Sequence, residues 1–172
     1  MILSSATLRQ LINKGELIVD GPQPINVQPA SIEMHLGNRV VRRIGRADQA
    51  AEDYKGGAPI SIRPGELILA STQETVRIPA TLVGQVEGKS SWARRGLLVH
   101  VTAGFIDPGF HGTITLEIVN LSSVAIYPRV GQRIAQLAAH QLDSEPEHLY
   151  GSPELGSHYQ GQTTTTEGAP IE

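Results

Sequence analysis

The sequence predicts a mainly β fold, a sandwich or distorted barrel of short strands joined by tight turns. Three observations lead there. Apolar runs recur at 66–71, 75–78, 82–87, 97–101, 113–119, 124–127 and 133–139, with turn residues between them. Eighteen glycines and eleven prolines, with few aromatics, suit a chain that turns often. The run at 113–119 alternates strictly, with Ile114, Leu116 and Ile118 on one face and Thr115, Glu117 and Val119 on the other.

In chain order, Ser4 and Ser5 precede Leu8, Leu11 and Ile12 at helical spacing, and Gly15 stands where a helix stops. A short helix capped by serine is expected there. Ile32, Met34 and Leu36 alternate with Glu33 and His35 as a strand. The preceding Val27-Gln28-Pro29-Ala30 is extended, because proline biases the residue before it that way. Residues 42–59 are polar and glycine-bearing, the best candidate for a mobile loop. Pro64-Gly65 reads as a turn, and no internal repeat is present. From Gly156 onward nothing can form a core. The expected organisation is one domain over 1–155 and a flexible tail over 156–172, disordered unless a ligand orders it.

Composition limits the function. A chain of 172 residues is long enough to bury a core without staples. It has no cysteine, which removes disulfides, thiolate zinc sites and thiol catalysis and fits a reducing compartment. No basic segment leads into an apolar one at the N-terminus, and no run approaches a membrane span, so a cytoplasmic protein without membrane association is expected. The net charge of −3 argues against a broad nucleic-acid surface but allows a local cationic site for a small anion.

Such a site is visible at Gly88-Lys89-Ser90-Ser91, followed by Arg94 and Arg95. The spacing is not a phosphate-binding P-loop, which needs glycine at position 83, where valine stands. The turn still offers two hydroxyls and up to three cations to a phosphate; read blandly, it is a surface turn with a serine N-cap. The six histidines form no HxH, HExxH or HxE pattern, and no zinc is expected. No nucleophile-elbow G-x-S-x-G exists either. His100 lies among Leu97, Leu98, Val99 and Val101 and reads as a hydrogen-bonded core residue. By spacing alone, Glu117 is a solvated glutamate on the open face of a half-buried strand.

Four segments, in this order and spacing, give the chain a resemblance: Val27-Gln28-Pro29-Ala30-Ser31; Gly88-Lys89-Ser90-Ser91-x-x-Arg94-x-Gly96-Leu97; His100-Val101-Thr102-Ala103-Gly104-Phe105-Ile106-Asp107-Pro108-Gly109; and Thr115-Leu116-Glu117. The chain resembles the dCTP deaminase family of the trimeric dUTPase-like superfamily, from the first helix to Gln162. The resemblance implies a dUTPase-like distorted β-barrel or jelly-roll and a homotrimer with shared active sites. Glu117 matches the family's catalytic glutamate. Ser90 and Arg94 match residues that hold water and glutamate from a neighbouring subunit, and Ala103 matches the small residue beside the attacking water. Asp107 falls where the family holds the deoxyribose 3′-hydroxyl, and Lys89 and Ser91 match phosphate-side positions. Thr115 belongs to the substrate-binding set. Tyr150 matches the tyrosine at the sugar, and Tyr159 to Gln162 match the segment that closes over the triphosphate. His158 replaces the usual lysine beside that tyrosine, and His35 replaces an arginine in the early strand. His100 is implied as regulatory, through dTTP inhibition.

The implied chemistry needs no resident metal; Mg²⁺ comes bound to the triphosphate. Deamination takes a proton from water, gives one to the ring N3 and gives one to leaving ammonia. One partly desolvated carboxylate can serve all three transfers. The related ligands are dCTP, dUTP and dTTP. Alternatives are an enzyme that stops at dUTP, a plain dUTP diphosphatase and a non-catalytic nucleotide sensor. Thr115-Leu116-Glu117 with Ser90 and Arg94 favours deamination. Gly104 stands where deaminase-only relatives often carry histidine, which favours continuation to dUMP and pyrophosphate.

Overall fold

A computed structural model describes residues 1–44 and 48–169. Helix α1 spans Ser5–Asn13 and buries Leu8 completely. Ser4 takes the N-cap position in extended conformation, but its side chain makes no capping bond, so the expected serine cap is one of backbone position only. The C-terminus closes as the glycine implies. Gly15 has φ 70°, its N–H donates to the Ile12 carbonyl, and the Glu16 N–H donates to the Leu11 carbonyl. That pair of bonds satisfies the last carbonyls of the helix.

Strands β1 (Ile18–Asp20) and β2 (Val27–Gln28) are short and lead into β3 (Ser31–Ile44). β4 (Asp48–Asp53) turns back along the end of β3. The expected loop at 42–59 is thus largely a hairpin, with residues 45–47 outside the described residues. The strand lacks an apolar signature because β4 is polar, pairing among the described residues with β3 alone. β5 (Leu67–Arg77) joins two expected strands into one. Then follow β6 (Leu82–Gly88), the one-turn helix α2 (Ser90–Ala93), β7 (Leu97–Val99), β8 (Phe105–Ile106), β9 (His111–Asn120) and β10 (Arg133–Gln141). Of the run 124–127, only Ile126 forms a bridge, to Ile62.

All the pairings are antiparallel, in the order β7-β9-β5-β3-β10-β6-β8. β3 links the two halves: Ile32–His35 pair with β10, and Val40–Arg42 pair with β5. It changes partner between His35 and Leu36, which pairs with Thr72 of β5. At the next residue, Gly37, a Cβ would come within 2.7 Å of the Ser71 carbonyl oxygen, so only glycine lets the strands approach there. A bulge in β5 faces that point. The ladder to β9 slips between Ser71 and Thr75, and the Thr72 hydroxyl accepts the freed Ile114 N–H at 3.0 Å. Glu74, in the bulge, accepts from the His35 N–H at 2.9 Å and meets the His35 ring at 2.5 Å. His35 therefore belongs to the joint between strands.

The core lies inside the curl of the sheet. Ile114, Leu116 and Ile118 of β9 are at most 2% exposed, and Ile68, Ile32, Met34 and Leu36 are fully buried. Each such side chain contributes roughly 1.5–3 kcal/mol of burial. That anchors β9 in register and turns Thr115 and Glu117 to its opposite face.

Candidate active site

That opposite face of β9 forms the floor of a cleft of about 370 Å³. The size and the mixed lining suit a nucleotide-sized ligand. Glu117 lines it and is half-buried rather than solvated. Its Oε2 accepts from the Thr102 N–H at 3.2 Å and lies 3.3 Å from the Thr102 hydroxyl. The carboxylate is aimed by a loop, because β7 ends at Val99 and the chain leaves the sheet at His100. The expected strand over 97–101 thus stops short. His100 has φ 40° and Ala103 has φ 52°, two left-handed residues without the glycine that makes such geometry easy.

The departure of β7 leaves the Glu117 N–H without a strand partner. His100 Nδ1 accepts it at 3.3 Å, which puts the ring proton on Nε2. Nε2 is buried, with no partner among the described residues. His100 is hydrogen-bonded, as its setting suggested, but from a loop. It lines both this cleft and a second one behind Ala103 and Gly104. Gly104 does not adopt the left-handed conformation that glycine permits; its service is room. An added Cβ would lie 3.2 Å from the Val86 carbonyl oxygen, and the Gly104 carbonyl accepts from the Val86 N–H at 2.8 Å.

Ala103, Asp107, Thr115, Tyr150, Tyr159 and Gln162 also line the first cleft. Asp107 sits exposed in the turn after β8. Tyr150 packs on Phe110 with ring centroids 5.8 Å apart, and its hydroxyl accepts from the Tyr159 N–H at 3.1 Å. Gln162 lies against β9, where its carbonyl accepts from the Thr113 N–H at 2.9 Å and its amide donates to the Thr113 carbonyl at 2.6 Å. Beyond it, the Thr166 N–H and hydroxyl reach the Thr115 hydroxyl at 3.3 and 3.2 Å, and Thr165 donates to the Arg39 carbonyl at 2.6 Å. His158 is exposed and stands outside the cleft, its ring 6.1 Å from that of Tyr159.

A second group of sequence-selected residues lies elsewhere. Lys89, Ser90, Ser91 and Arg94 do not line the Glu117 cleft within one chain. Ser90, Ser91 and Arg94 are exposed on and beside α2, and Lys89 takes its N-cap position, one residue earlier than a serine cap would stand. Lys89 pairs with Glu33, a buried carboxylate that also accepts from Arg133 Nη1 at 2.8 Å. Burial pushes the Glu33 carboxyl up; the bonds and charges of Lys89 and Arg133 outweigh it and hold the group below its ordinary range. Sequence reading missed Glu33, Thr102 and Thr166. Thr102 sits inside a segment already singled out, and that placement was its only signal.

The sheet order and the cleft over β9 place the chain among dUTPase-like folds. The native EIAV dUTPase superimposes with a TM-score of 0.54 at 25% identity, covering 77% of this chain and 93% of that one. The 2′-deoxycytidine 5′-triphosphate deaminase of Agrobacterium tumefaciens superimposes with a TM-score of 0.68 at 21% identity, covering 82% of this chain and 48% of that one. The dCTP deaminase-like family profile matches residues 2–142. Over 96% of its length the chain is 41% identical to the dUMP-forming dCTP deaminase of Acidothermus cellulolyticus, covering 93% of that protein. It is 43% identical to the enzyme of that name from Thermobifida fusca, over 96% of this chain and 91% of the other. The chain belongs to the dCTP deaminase-like family.

Among the described residues no helix is long and apolar enough to cross a membrane, and no three histidine or acidic side chains gather as a metal site.

Proposed function

We propose that the protein deaminates dCTP and carries the product through to dUMP and pyrophosphate, in the cytoplasm. The supporting observation is Glu117, a half-buried carboxylate on a rigid strand, aimed into a nucleotide-sized cleft by Thr102 and with its backbone held by His100. The relatives named as dUMP-forming dCTP deaminases, at 41% and 43% identity, support the substrate and the product.

In this reading Glu117 takes a proton from water as the oxygen attacks C4 of cytosine. It passes that proton to N3, then takes the hydroxyl proton of the tetrahedral intermediate. It gives this second proton to the amine as the C4–N bond breaks and the C4 carbonyl forms, so dCTP and water give dUTP and ammonia. Ala103 leaves room for the water. Asp107 holds the 3′-hydroxyl, and Thr115 and Tyr150 line the base and sugar. A second water then attacks the α-phosphorus, oriented by Asp107, and dUTP and water give dUMP and pyrophosphate. Mg²⁺ borne on the triphosphate would offset charge on its oxygens.

Ser90 and Arg94 act on a neighbouring subunit's Glu117 in a homotrimer. Their exposure and their distance from the cleft of their own chain support this. Lys89 and Ser91 meet the phosphates from the same side. Residues 156–169 form a lid in which Tyr159 and Gln162 close on the nucleotide, with His158 beside them. dTTP acts as an inhibitor through the loop that starts at His100. Incubating the purified protein with dCTP and Mg²⁺ and measuring ammonia, dUTP, dUMP and pyrophosphate tests the reading. Equimolar ammonia, dUMP and pyrophosphate are expected. Stoichiometric dUTP means a deaminase only, and turnover of dUTP without any of dCTP means a dUTP diphosphatase.

A further inference from the structure

Two buried carboxylates occur among the described residues, Glu33 and Glu74. Glu74 faces one imidazole, His35, whose side chain is 17% exposed. Glu33 faces two cations, Lys89 and Arg133, whose side chains are 23% and 52% exposed. One carboxylate needs only one cation for neutrality, so the group carries a net positive charge outward. Both cations keep N–H donors that Glu33 does not use.

The backbone fixes where those donors stand. Lys89 N–H donates to the Ile134 carbonyl at 3.2 Å, and Trp92 Nε1 donates to the Arg133 carbonyl at 3.1 Å. The Gly88–Ser91 turn is thereby stitched to the start of β10, beside the exposed Ser90 and Ser91 hydroxyls. Glu33 itself sits on β3, opposite Gln136 of β10.

We propose that Glu33 is a positioning residue for phosphate recognition. It clamps Lys89 and Arg133 side by side at the edge of the Gly88–Ser91 turn, and the pair meets the polyphosphate of the nucleotide in a preset geometry. Arg133 joins the phosphate-binding residues on this basis. A lysine side chain loses substantial rotamer freedom when it binds an anion, and a buried anchor meets that cost on folding. Arg133 supplies the charge that keeps Glu33 from cancelling Lys89. The proposal rests on the triphosphate reading, but it is testable apart from deamination.

The probe is inorganic tripolyphosphate, titrated calorimetrically into the full chain. Wild-type protein should bind it, and Glu33→Gln and Arg133→Gln should each weaken binding by about five- to tenfold. The same variants should raise the KM for dCTP by a similar factor and leave kcat within about twofold. Glu33→Gln added to the Lys89→Gln/Arg133→Gln double variant should weaken binding no further than that double variant alone, because Glu33 acts through those two cations. A structural role alone would lower thermal stability and leave the tripolyphosphate affinity of the folded protein unchanged. Unchanged affinity in Glu33→Gln, or a further loss when it is added to the Lys89→Gln/Arg133→Gln double variant, overturns the clamp. If Glu33→Gln does not fold, the exposed Arg133 decides, and wild-type affinity in Arg133→Gln overturns it. A wild type that deaminates dCTP but ignores tripolyphosphate also overturns it. A wild type that binds tripolyphosphate without turning over dCTP sinks the functional reading and leaves the clamp standing.

Discussion

His100 Nδ1 accepts the backbone N–H of Glu117 at 3.3 Å, so a side chain stands in for the strand that leaves the sheet there. Replacing the imidazole by leucine strands that N–H and frees the loop that aims the carboxylate. His100→Leu should lose about 1–3 kcal/mol of stability by thermal denaturation and roughly tenfold in deamination. Asparagine, whose carbonyl can accept the same bond, should recover part of both. Wild-type rates in His100→Leu would show that the loop holds itself.

Glu117→Gln keeps the size and the contact to Thr102 but cannot shuttle protons. Ammonia release should fall by on the order of 10² or more, with nucleotide binding retained by calorimetry. Near-normal turnover would remove Glu117 from the role of base.

Assembly is tested by mixing. Glu117→Gln and Arg94→Ala subunits, each inactive alone, should regain part of the activity after subunit exchange, because some mixed sites carry neither lesion. A monomer in light scattering, or no rescue after verified exchange, would count against shared sites.

The second hydrolysis should be separable from the first. Asp107→Asn is expected to slow pyrophosphate release more than ammonia release, so that dUTP accumulates by chromatography. Gly104→His must displace the Val86 carbonyl that lies 3.2 Å from the added Cβ, and it should shift the product toward dUTP as well. Equal losses of both products in Asp107→Asn would leave it a ligand of the sugar alone.

The Glu33 carboxyl titrates below its ordinary value when folded. Its contribution is fully present above the unfolded carboxylate pKa and is lost as pH falls from about 4.5 through the lower folded value. Urea denaturation from pH 6 to 3 should therefore show a steeper acid loss for wild type than for Glu33→Gln. Parallel curves would mean that the pair contributes nothing at neutral pH.

What the sequence disclosed follows from which signals are local. The strict alternation at 113–119 displayed β9 and the side on which Glu117 lies, because period-two patterning is written in adjacent residues. Gly15 ended α1 for an equally local reason. β4 was obscured by its polar composition. The Glu33–Lys89 pair spans 56 residues, and no neighbour of either announces the other. His100 and Ala103 adopt left-handed geometry that their residue types do not signal. Roles for Ser90 and Arg94 come from resemblance to a family, since neither residue lines the cleft of its own chain.

The double pairing of β3 bears on how the chain acquires its shape during synthesis. The first half of this strand zips against β10, a partner 100 residues later, as in the Glu33–Arg133 bond. Until that partner leaves the ribosome, Ser31–His35 has, among the described residues, only the two-residue β2 to pair with and otherwise presents an open edge of unpaired backbone groups. Closure of the sheet therefore waits for β10 and is dominated by distant contacts, which are slow to form. During that interval the unpaired edge of β3 is the place most open to self-association.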